Sequence, residues 1–283
     1  MAGRAGLVLG GGGITGAAWE IGMIAGLKEA GVDLTTAVLV IGTSAGAVVG
    51  AQILSGVPME ELYERQLRPP TGEVAIRFGL GNLGRFAALM LLPGDERGVR
   101  ARVGRAALRA RTMSEAARKT IIAGRLPMHE WPERELRITA VDALTGELVV
   151  FQRDSGVELV DAVAASSAVP MVYPAITING RRYVDGGIRS VANADLAIGC
   201  DPVVVLAPLR VALRRRQRVD AQLQSLGEGI RSIVVSADGT ARKAMGRQAL
   251  DPAFRAPSAR AGKAQASLVA GAVAEVWALS RQM

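Results

Sequence analysis

The apolar residues at the start of the chain alternate between short continuous runs and helical spacing. The runs at 5–9 and 37–41 are uncharged and each is followed by a glycine, which is typical of strands buried in a parallel sheet. Between them, residues 14–30 repeat apolar side chains at intervals of three and four before a glycine. A second helix is expected to end near residue 56. The pattern predicts a β-α-β-α opening.

The rest of the chain carries two hairpin patterns and further helices. The Asn-Gly pair at 179–180, between apolar runs at 176–178 and 181–184, is the strongest hairpin signal. Other expected elements are a hairpin of 136–141 with 147–152, a strand at 202–207, and helices at 58–68, at 112–122 opened by a capping-box spacing at 112–115, at 158–167, and beyond 208 with an interruption at 251–262. The apolar cluster within 73–111 fits either a core helix or a lid.

Composition favours an α/β protein. The chain has 283 residues, of which 49% are hydrophobic and only 4% aromatic. A core of Ala, Val, Leu and Ile suits helices packed on a parallel sheet, in one large domain or one domain with an appendage. Cys200 is the only cysteine, which excludes an internal disulfide and a cysteine-based zinc site.

Charge and hydropathy restrict the expected surroundings of the protein. The first ten residues have too short an apolar run for a signal peptide, and no uncharged apolar stretch reaches 18 residues. We therefore expect a cytoplasmic protein with at most peripheral membrane contact. The net charge of +8, with an arginine-rich run at 214–218, would attract anionic lipid surfaces or nucleic acid. Arginines on a solvated face would give the same composition.

Ser44 lies in a Gly-Thr-Ser-Ala-Gly sequence at 42–46, between the apolar run 37–41 and a stretch of small residues. A serine on a sharp turn from strand to helix needs small neighbours, and Gly42 and Gly46 meet that need. The turn would present the hydroxyl at the carboxyl end of the strand, near the amide of Ala45 and the start of a helix. The pattern indicates an acyl-transfer nucleophile.

A glycine-rich loop follows the first predicted strand. Residues 11–16 match the G-x-G-x-x-G pattern of a dinucleotide-binding loop. That function also needs an acidic residue at the end of the second strand, where this chain has Ser44. Because glycine amides at a helix start also suit an oxyanion, the loop fits acyl transfer, and nucleotide binding remains an alternative.

A serine nucleophile needs a base to accept its proton, and the chain has only one histidine that could serve as that base. His129 lies in a proline-flanked loop with no strand before it, unlike the histidine of a hydrolase triad. Asp185 is better placed, because it follows a predicted strand and precedes Gly186 and Gly187. A partly buried carboxylate becomes basic enough to accept the serine proton.

Taken together, these motifs resemble the patatin-like phospholipase family. Four motifs occur in the family's order and spacing: LVLGGGGITG at 7–16, GTSAG at 42–46, ASSAVP at 165–170 followed by Tyr-Pro at 173–174, and YVDGG at 183–187. The resemblance covers roughly residues 5–208. It implies a three-layer α/β/α fold with a mainly parallel central sheet, and leaves 209–283 as a helical, arginine-rich extension packed on it or appended to it.

The resemblance also implies a mechanism. Ser44 would be the nucleophile and Asp185 the general base of a dyad without histidine, acting on a lipid or ester substrate with no metal, cofactor or nucleic acid. The amides of Gly11, Gly12 and Gly13 would form the oxyanion hole. The remaining motif residues are Gly16, Gly42, Gly46, Gly186 and Gly187. Residues 165–173 would pack behind the site, with Ser166 and Ser167 as structural residues.

Two departures from the family pattern leave an alternative open. Thr15 stands where family members often have arginine, and residues 193–195 read Asn-Ala-Asp in place of the usual Asn-Pro. The first puts the positioning of the glycine loop in doubt. We expect a working acyl hydrolase; a catalytically impaired protein that binds lipid surfaces is the alternative.

Overall fold

The computed structural model describes residues 4–69, 80–210, 212 and 214–277. Its strands are β1 (Gly6–Leu9), β2 (Leu39–Thr43), β3 (Glu135–Asp142), β4 (Leu148–Phe151), β5 (Ile176–Ile178), β6 (Arg181–Asp185), β7 (Val203–Leu206) and β8 (Ser232–Val235). Its α-helices are α1 (Gly13–Glu29), α2 (Ala45–Ile53), α3 (Met59–Leu67), α4 (Leu80–Leu91), α5 (Glu96–Leu108), α6 (Glu115–Ala123), α7 (Leu159–Ser166), α8 (Val219–Gln224), α9 (Gly239–Met245) and α10 (Arg255–Trp277).

These strands form one mixed sheet in the order β5-β6-β3-β2-β1-β7-β8, with β4 also paired to β3. Strands β3, β2, β1, β7 and β8 are parallel to one another, whereas β4 and β6 run antiparallel to β3 and β5 runs antiparallel to β6. Helices cover both faces. The predicted α/β/α fold with a mainly parallel sheet is therefore confirmed.

Side chains of successive strand residues divide between the two faces of the sheet, as a period of two requires. Leu7 and Leu9 of β1 lie in the larger core cluster, which includes residues of α1, α2, α7 and α10. Val8 lies in a second cluster with Val205 and residues 192–226. Because β1 is buried on both sides, its sequence is a continuous apolar run rather than an alternating one.

The two predicted hairpins and the opening β-α-β-α unit are present, but some predicted details are wrong. Ser114, not Thr112, caps α6, because its Oγ accepts a hydrogen bond from the Ala117 amide. The segment beyond 208 contains β8, and the interruption expected at 251–262 ends early, because α10 begins at Arg255. Strand β8 pairs with β7 and α10 packs along α1, so both elements take part in the fold.

The irregular segment 73–111 becomes two helices where it is described, while 73–79 lies outside the described residues. Met90 at the end of α4 is buried in a cluster with Val99 and Val103 of α5. Leu91 and Leu92, directly after it, are exposed. The segment thus combines a core contact with an exposed apolar end. Within the described ranges, no helix has both the length and the apolar character needed to cross a membrane.

Candidate active site

Ser44 lies on a tight turn between β2 and α2. Its φ is 55° and its ψ is −111°, a strained conformation for a residue with a side chain. A Cβ at Gly46 would overlap the carbonyl oxygen of Leu9, and the Gly46 amide donates a hydrogen bond to the Gly10 carbonyl over 3.0 Å. The Ser44 amide donates to Ser166 Oγ over 2.9 Å. The turn is therefore held on both sides by contacts that need small residues.

The opposite directions of β2 and β6 bring Ser44 and Asp185 together. Strand β3 continues past the end of β2, and its last residues pair with β6, which runs the other way. The carboxyl end of β6 therefore arrives beside the carboxyl end of β2. There, Ser44 Oγ donates a hydrogen bond of 2.7 Å to Asp185 Oδ2. The two residues, 141 positions apart, are only 7% and 5% exposed.

The carboxylate of Asp185 is fixed and unusually basic. Its Oδ1 accepts a hydrogen bond of 2.7 Å from the Gly187 amide, which leaves Oδ2 for the serine hydroxyl. Burial raises the pKa of Asp185 to about 6, against the smaller lowering effects of the Gly187 amide, the Ser44 hydroxyl and the Arg118 charge. At neutral pH the group is thus ionised and able to accept a proton.

The three amides of the glycine loop after β1 differ in whether they already donate a hydrogen bond. The Gly11 amide donates to the Val191 carbonyl over 2.7 Å, so it is already engaged. The amides of Gly12 and Gly13 have no acceptor among the described residues. Gly13 begins α1 with a φ of 63°, where a side chain would strain the backbone and overlap the Ala249 carbonyl. Two of the three predicted amides thus have no hydrogen-bond acceptor within the described part of the chain.

Glu20 holds the start of this loop, a role that the motifs did not indicate. It is fully buried in α1, and its Oε1 accepts a hydrogen bond of 2.8 Å from the Gly10 amide. Burial raises its pKa well above the ordinary range of a glutamate. Thr15, where the family often has arginine, is also fully buried in α1 and is not among the described residues that line the cavity.

The remaining motif residues support the site. The Gly16 amide donates to the Gly12 carbonyl, Gly42 pairs with Ile138 across β2 and β3, and Gly186 begins a short 3-10 turn after Asp185. Asn193, in the segment that departs from the family pattern, donates through Nδ2 to Thr43 Oγ1 over 3.0 Å. It therefore ties that segment to the residue before Ser44.

Residues behind the site have structural contacts, as expected. Ser167 Oγ donates to the Val163 carbonyl over 2.8 Å and lies 3.1 Å from Arg118 Nη2, which donates to it. The Arg118 guanidinium stacks over the Tyr173 ring at 3.6 Å. Arg118 is a residue that sequence reasoning missed, because no motif contains it.

A cavity of about 450 Å³ opens at the Ser44 turn. Ser44, Ala45 and Gly13 line it, so the serine turn and the glycine loop face the same cavity. His129 is not among the described residues that line it; its Nε2 lies 3.0 Å from the Ala123 carbonyl, in a surface loop. No group of three His, Cys, Asp or Glu side chains able to hold a metal occurs within the described part of the chain.

Comparisons with known proteins agree with the motif order. The family model of patatin-like phospholipases matches residues 7–198, more than half of the chain. No curated protein matches the chain at a significant level. Among solved structures, the crystal structure of VipD from Legionella pneumophila is similar over 96% of this chain and 67% of that one, at 13% identity and a TM-score of 0.47.

The crystal structure of the type III effector protein ExoU is similar over 95% of this chain and 54% of that one, at 19% identity and a TM-score of 0.40. This chain therefore spans about two thirds of the length of the first structure and about half of the second. The match to the family model covers the glycine loop, the serine turn and the Asp-Gly-Gly turn in one alignment. The chain belongs to the patatin-like phospholipase family.

Proposed function

We propose that this protein is a serine lipid acyl hydrolase that cleaves carboxylic esters through Ser44 and Asp185. Membership of the family supports lipid acyl hydrolysis as the general activity. The observation that carries the finer proposal is the hydrogen bond of 2.7 Å from Ser44 Oγ to the buried carboxylate of Asp185. A neutral serine becomes nucleophilic when a positioned base accepts its proton.

The reaction would proceed in two halves. Asp185 Oδ2 accepts the proton of Ser44 as Oγ attacks the ester carbonyl, and the tetrahedral intermediate places its negative oxygen at the amides of Gly12 and Gly13. Collapse breaks the bond to the alcohol, which leaves with the proton from Asp185. Water then gives a proton to Asp185 and attacks the acyl-serine, and the carboxylic acid is released as Ser44 regains its proton.

The oxyanion hole of this proposal is narrower than the motif alone implied. The Gly11 amide donates to Val191, so Gly12 and Gly13 are the donors we assign, with the Ala45 amide at the first turn of α2 beside them. The start of α2 adds positive potential at the same place. Such preorganised donors act on the charge that forms in the transition state.

Hydrolysis of p-nitrophenyl butyrate tests the nucleophile. Ser44→Ala should lower kcat by a factor on the order of 10⁴ to 10⁶, because the acyl-enzyme route is lost. The matched control is Ser267→Ala, an exposed serine on α10 whose Oγ contacts only the Ala264 carbonyl, and it should retain full activity. Equal hydrolysis by Ser44→Ala and the wild type would overturn the assignment.

A protein that binds lipid surfaces without turnover is the alternative that Thr15 leaves open. Peripheral contact with an anionic surface is compatible with both proposals, since the net charge is +8. Folded wild type that binds anionic vesicles but hydrolyses no ester would favour this alternative. Ser44-dependent hydrolysis would exclude it.

A further inference from the structure

A fully buried cluster of polar side chains lies beside the dyad. Thr43 ends β2 directly before the nucleophile, Thr139 pairs with it from β3, and Asn193 comes from the loop after β6. All three residues have an exposed fraction of 0%. Polar groups are costly to bury without hydrogen bonds, so the contacts within this cluster decide whether it stabilises the site.

The side-chain amide of Asn193 is the centre of this cluster. Its Nδ2 donates to Thr43 Oγ1 over 3.0 Å and to the Ser190 carbonyl over 2.9 Å, which uses both of its N–H groups. Thr139 Oγ1 lies 2.9 Å from Thr43 Oγ1 and 3.3 Å from Asn193 Nδ2. The amide therefore joins the end of β2 to the loop that follows Asp185.

An arginine fixes the direction in which this amide points. Arg189 Nη1 donates to Asn193 Oδ1 over 2.7 Å and to Asp195 Oδ1 over 2.9 Å. A guanidinium donates but cannot accept, so the amide oxygen faces Arg189 and the amide nitrogen faces Thr43. The backbone of Asn193 has a φ of 53° and a ψ of 41°, a left-handed conformation that asparagine adopts more readily than most residues. Both the side chain and the backbone thus suit asparagine at this position.

The cluster also contacts the turn on the other side of the dyad. Gly186 follows Asp185, and a Cβ built on this glycine would lie 2.4 Å from Thr139 Oγ1. Asn193 Nδ2 lies 3.5 Å from the Gly186 carbonyl. The residue before Ser44 and the residue after Asp185 are therefore packed against one group of side chains.

The hydrogen bond of 2.7 Å from Ser44 Oγ to Asp185 Oδ2 depends on where these two turns lie. Ser44 has a strained backbone with a φ of 55°, so its turn persists only where its surroundings hold it. A displacement of about 1 Å between reacting groups can lower a rate about 10²-fold. Asn193 is not among the described residues that line the cavity, so it can act on the site only through the residues that it holds.

We propose that Asn193 is a positioning residue: through Thr43 it keeps Ser44 Oγ within hydrogen-bond distance of the catalytic carboxylate. This inference rests on the proposed hydrolase function and adds a residue that this function requires. Loss of the Asn193 amide should lower the rate of the chemical step, whereas binding of the ester should hardly change, because Asn193 does not line the cavity.

The substitution Asn193→Gly tests the amide, because glycine keeps the left-handed backbone and removes the side chain. With p-nitrophenyl butyrate, kcat should fall about 10²-fold while KM changes by less than about twofold. Labelling of Ser44 by a fluorophosphonate probe should slow by a similar factor. Asn179→Gly is the matched control, because Asn179 has a φ of 49° in an exposed hairpin turn. It should leave both rates unchanged.

Two substitutions of Thr43 separate positioning from packing. Thr43→Val keeps the branched shape but removes the acceptor of the Asn193 amide, so kcat should fall about 10²-fold. Thr43→Ser keeps the acceptor and loses a methyl group, so it should retain most of the activity. A role in packing alone would give the opposite order, since serine leaves a gap at a fully buried position. The double variant Asn193→Gly with Thr43→Val should be no slower than the slower single variant, because both substitutions remove the same contact.

The outcomes separate this inference from the function on which it rests. If the wild type hydrolyses the ester and the folded Asn193→Gly variant retains its kcat, the inference is overturned and the hydrolase proposal stands. Higher activity of Thr43→Val than of Thr43→Ser would overturn it as well. If the wild type shows neither hydrolysis nor labelling, the hydrolase proposal fails and the inference fails with it. Urea denaturation identifies the folded variants, and if Asn193→Gly is not among them, the two Thr43 variants supply the same measurement.

Discussion

The floor of the cavity, formed by Ser44, Asp185 and the loop at 10–13, differs in origin and in chemistry from its arginine wall. This wall consists of the arginines that line the cavity: Arg65, Arg68, Arg118, Arg125 and Arg255. The floor comes from short motifs, and its geometry depends on small residues and backbone hydrogen bonds. The wall comes from long side chains around α3, α6 and α10 that have no motif in common. The floor can therefore be predicted from local sequence, whereas the arginines of the wall come together only in the tertiary structure.

The substitution Asp185→Asn removes the carboxylate charge at the floor but keeps the shape of the side chain, and it should have the largest effect on activity. Asp185→Asn retains the size of the side chain, an acceptor for the Gly187 amide and contact with Ser44. It cannot accept the serine proton, so kcat/KM for p-nitrophenyl butyrate should fall about 10²- to 10⁴-fold. Activity close to that of the wild type would show that Asp185 is not the base.

The same variant should change the dependence of stability on pH. The folded pKa of Asp185 is raised from 3.8 to about 6, so the folded state holds a proton more tightly than the unfolded state. Its stabilising contribution is present below pH 3.8 and is lost as the pH rises through about 6, a total of about 3 kcal/mol. Urea unfolding at pH 4 and pH 8 should show a smaller decrease for Asp185→Asn than for the wild type.

A methyl group at the turn tests how closely the floor is packed. In Gly46→Ala, the new Cβ would overlap the Leu9 carbonyl, which belongs to the central strand β1 and cannot move easily. The free energy of unfolding should fall by about 3 kcal/mol or more. Gly271→Ala on α10 is the control: it has open space, and should increase stability by about 0.5 to 1 kcal/mol. Urea denaturation measures both, and equal effects would contradict the packing argument.

The pH profile tests the electrostatic link between wall and floor. Because Asp185 must be ionised to act as a base, kcat/KM should rise with pH through an apparent pKa of about 6. The Arg118 charge lowers the pKa of Asp185, so Arg118→Gln should move the rise to higher pH and Arg118→Lys should largely restore it. A profile that does not move in a folded Arg118→Gln variant would show that wall and floor act independently.

The same contrast between floor and wall explains how much of the fold and of the candidate site could be predicted from the sequence. The opening elements and both hairpins follow from local patterns, because strand ends and tight turns have strict local requirements. The pairing of Ser44 with Asp185 was implied by the resemblance to the family, because it depends on how β2 and β6 are placed in the sheet.

Strand β8 was missed although residues 232–235 carry three β-branched side chains in a row, because the run is short and lies between segments interpreted as helical. Glu20 and Arg118 were missed because their partners, Gly10 and Ser167, become neighbours only in the tertiary structure.

The central claim is that Ser44 is the nucleophile activated by Asp185, and covalent labelling tests it most directly. The wild type is treated with a fluorophosphonate probe, digested, and the modified residue is identified by mass spectrometry. Labelling should occur at Ser44, should be lost in Ser44→Ala, and should be much slower in Asp185→Asn, since the probe reacts with the activated hydroxyl. Labelling at another serine, or at Ser44 with no dependence on Asp185, would contradict the account.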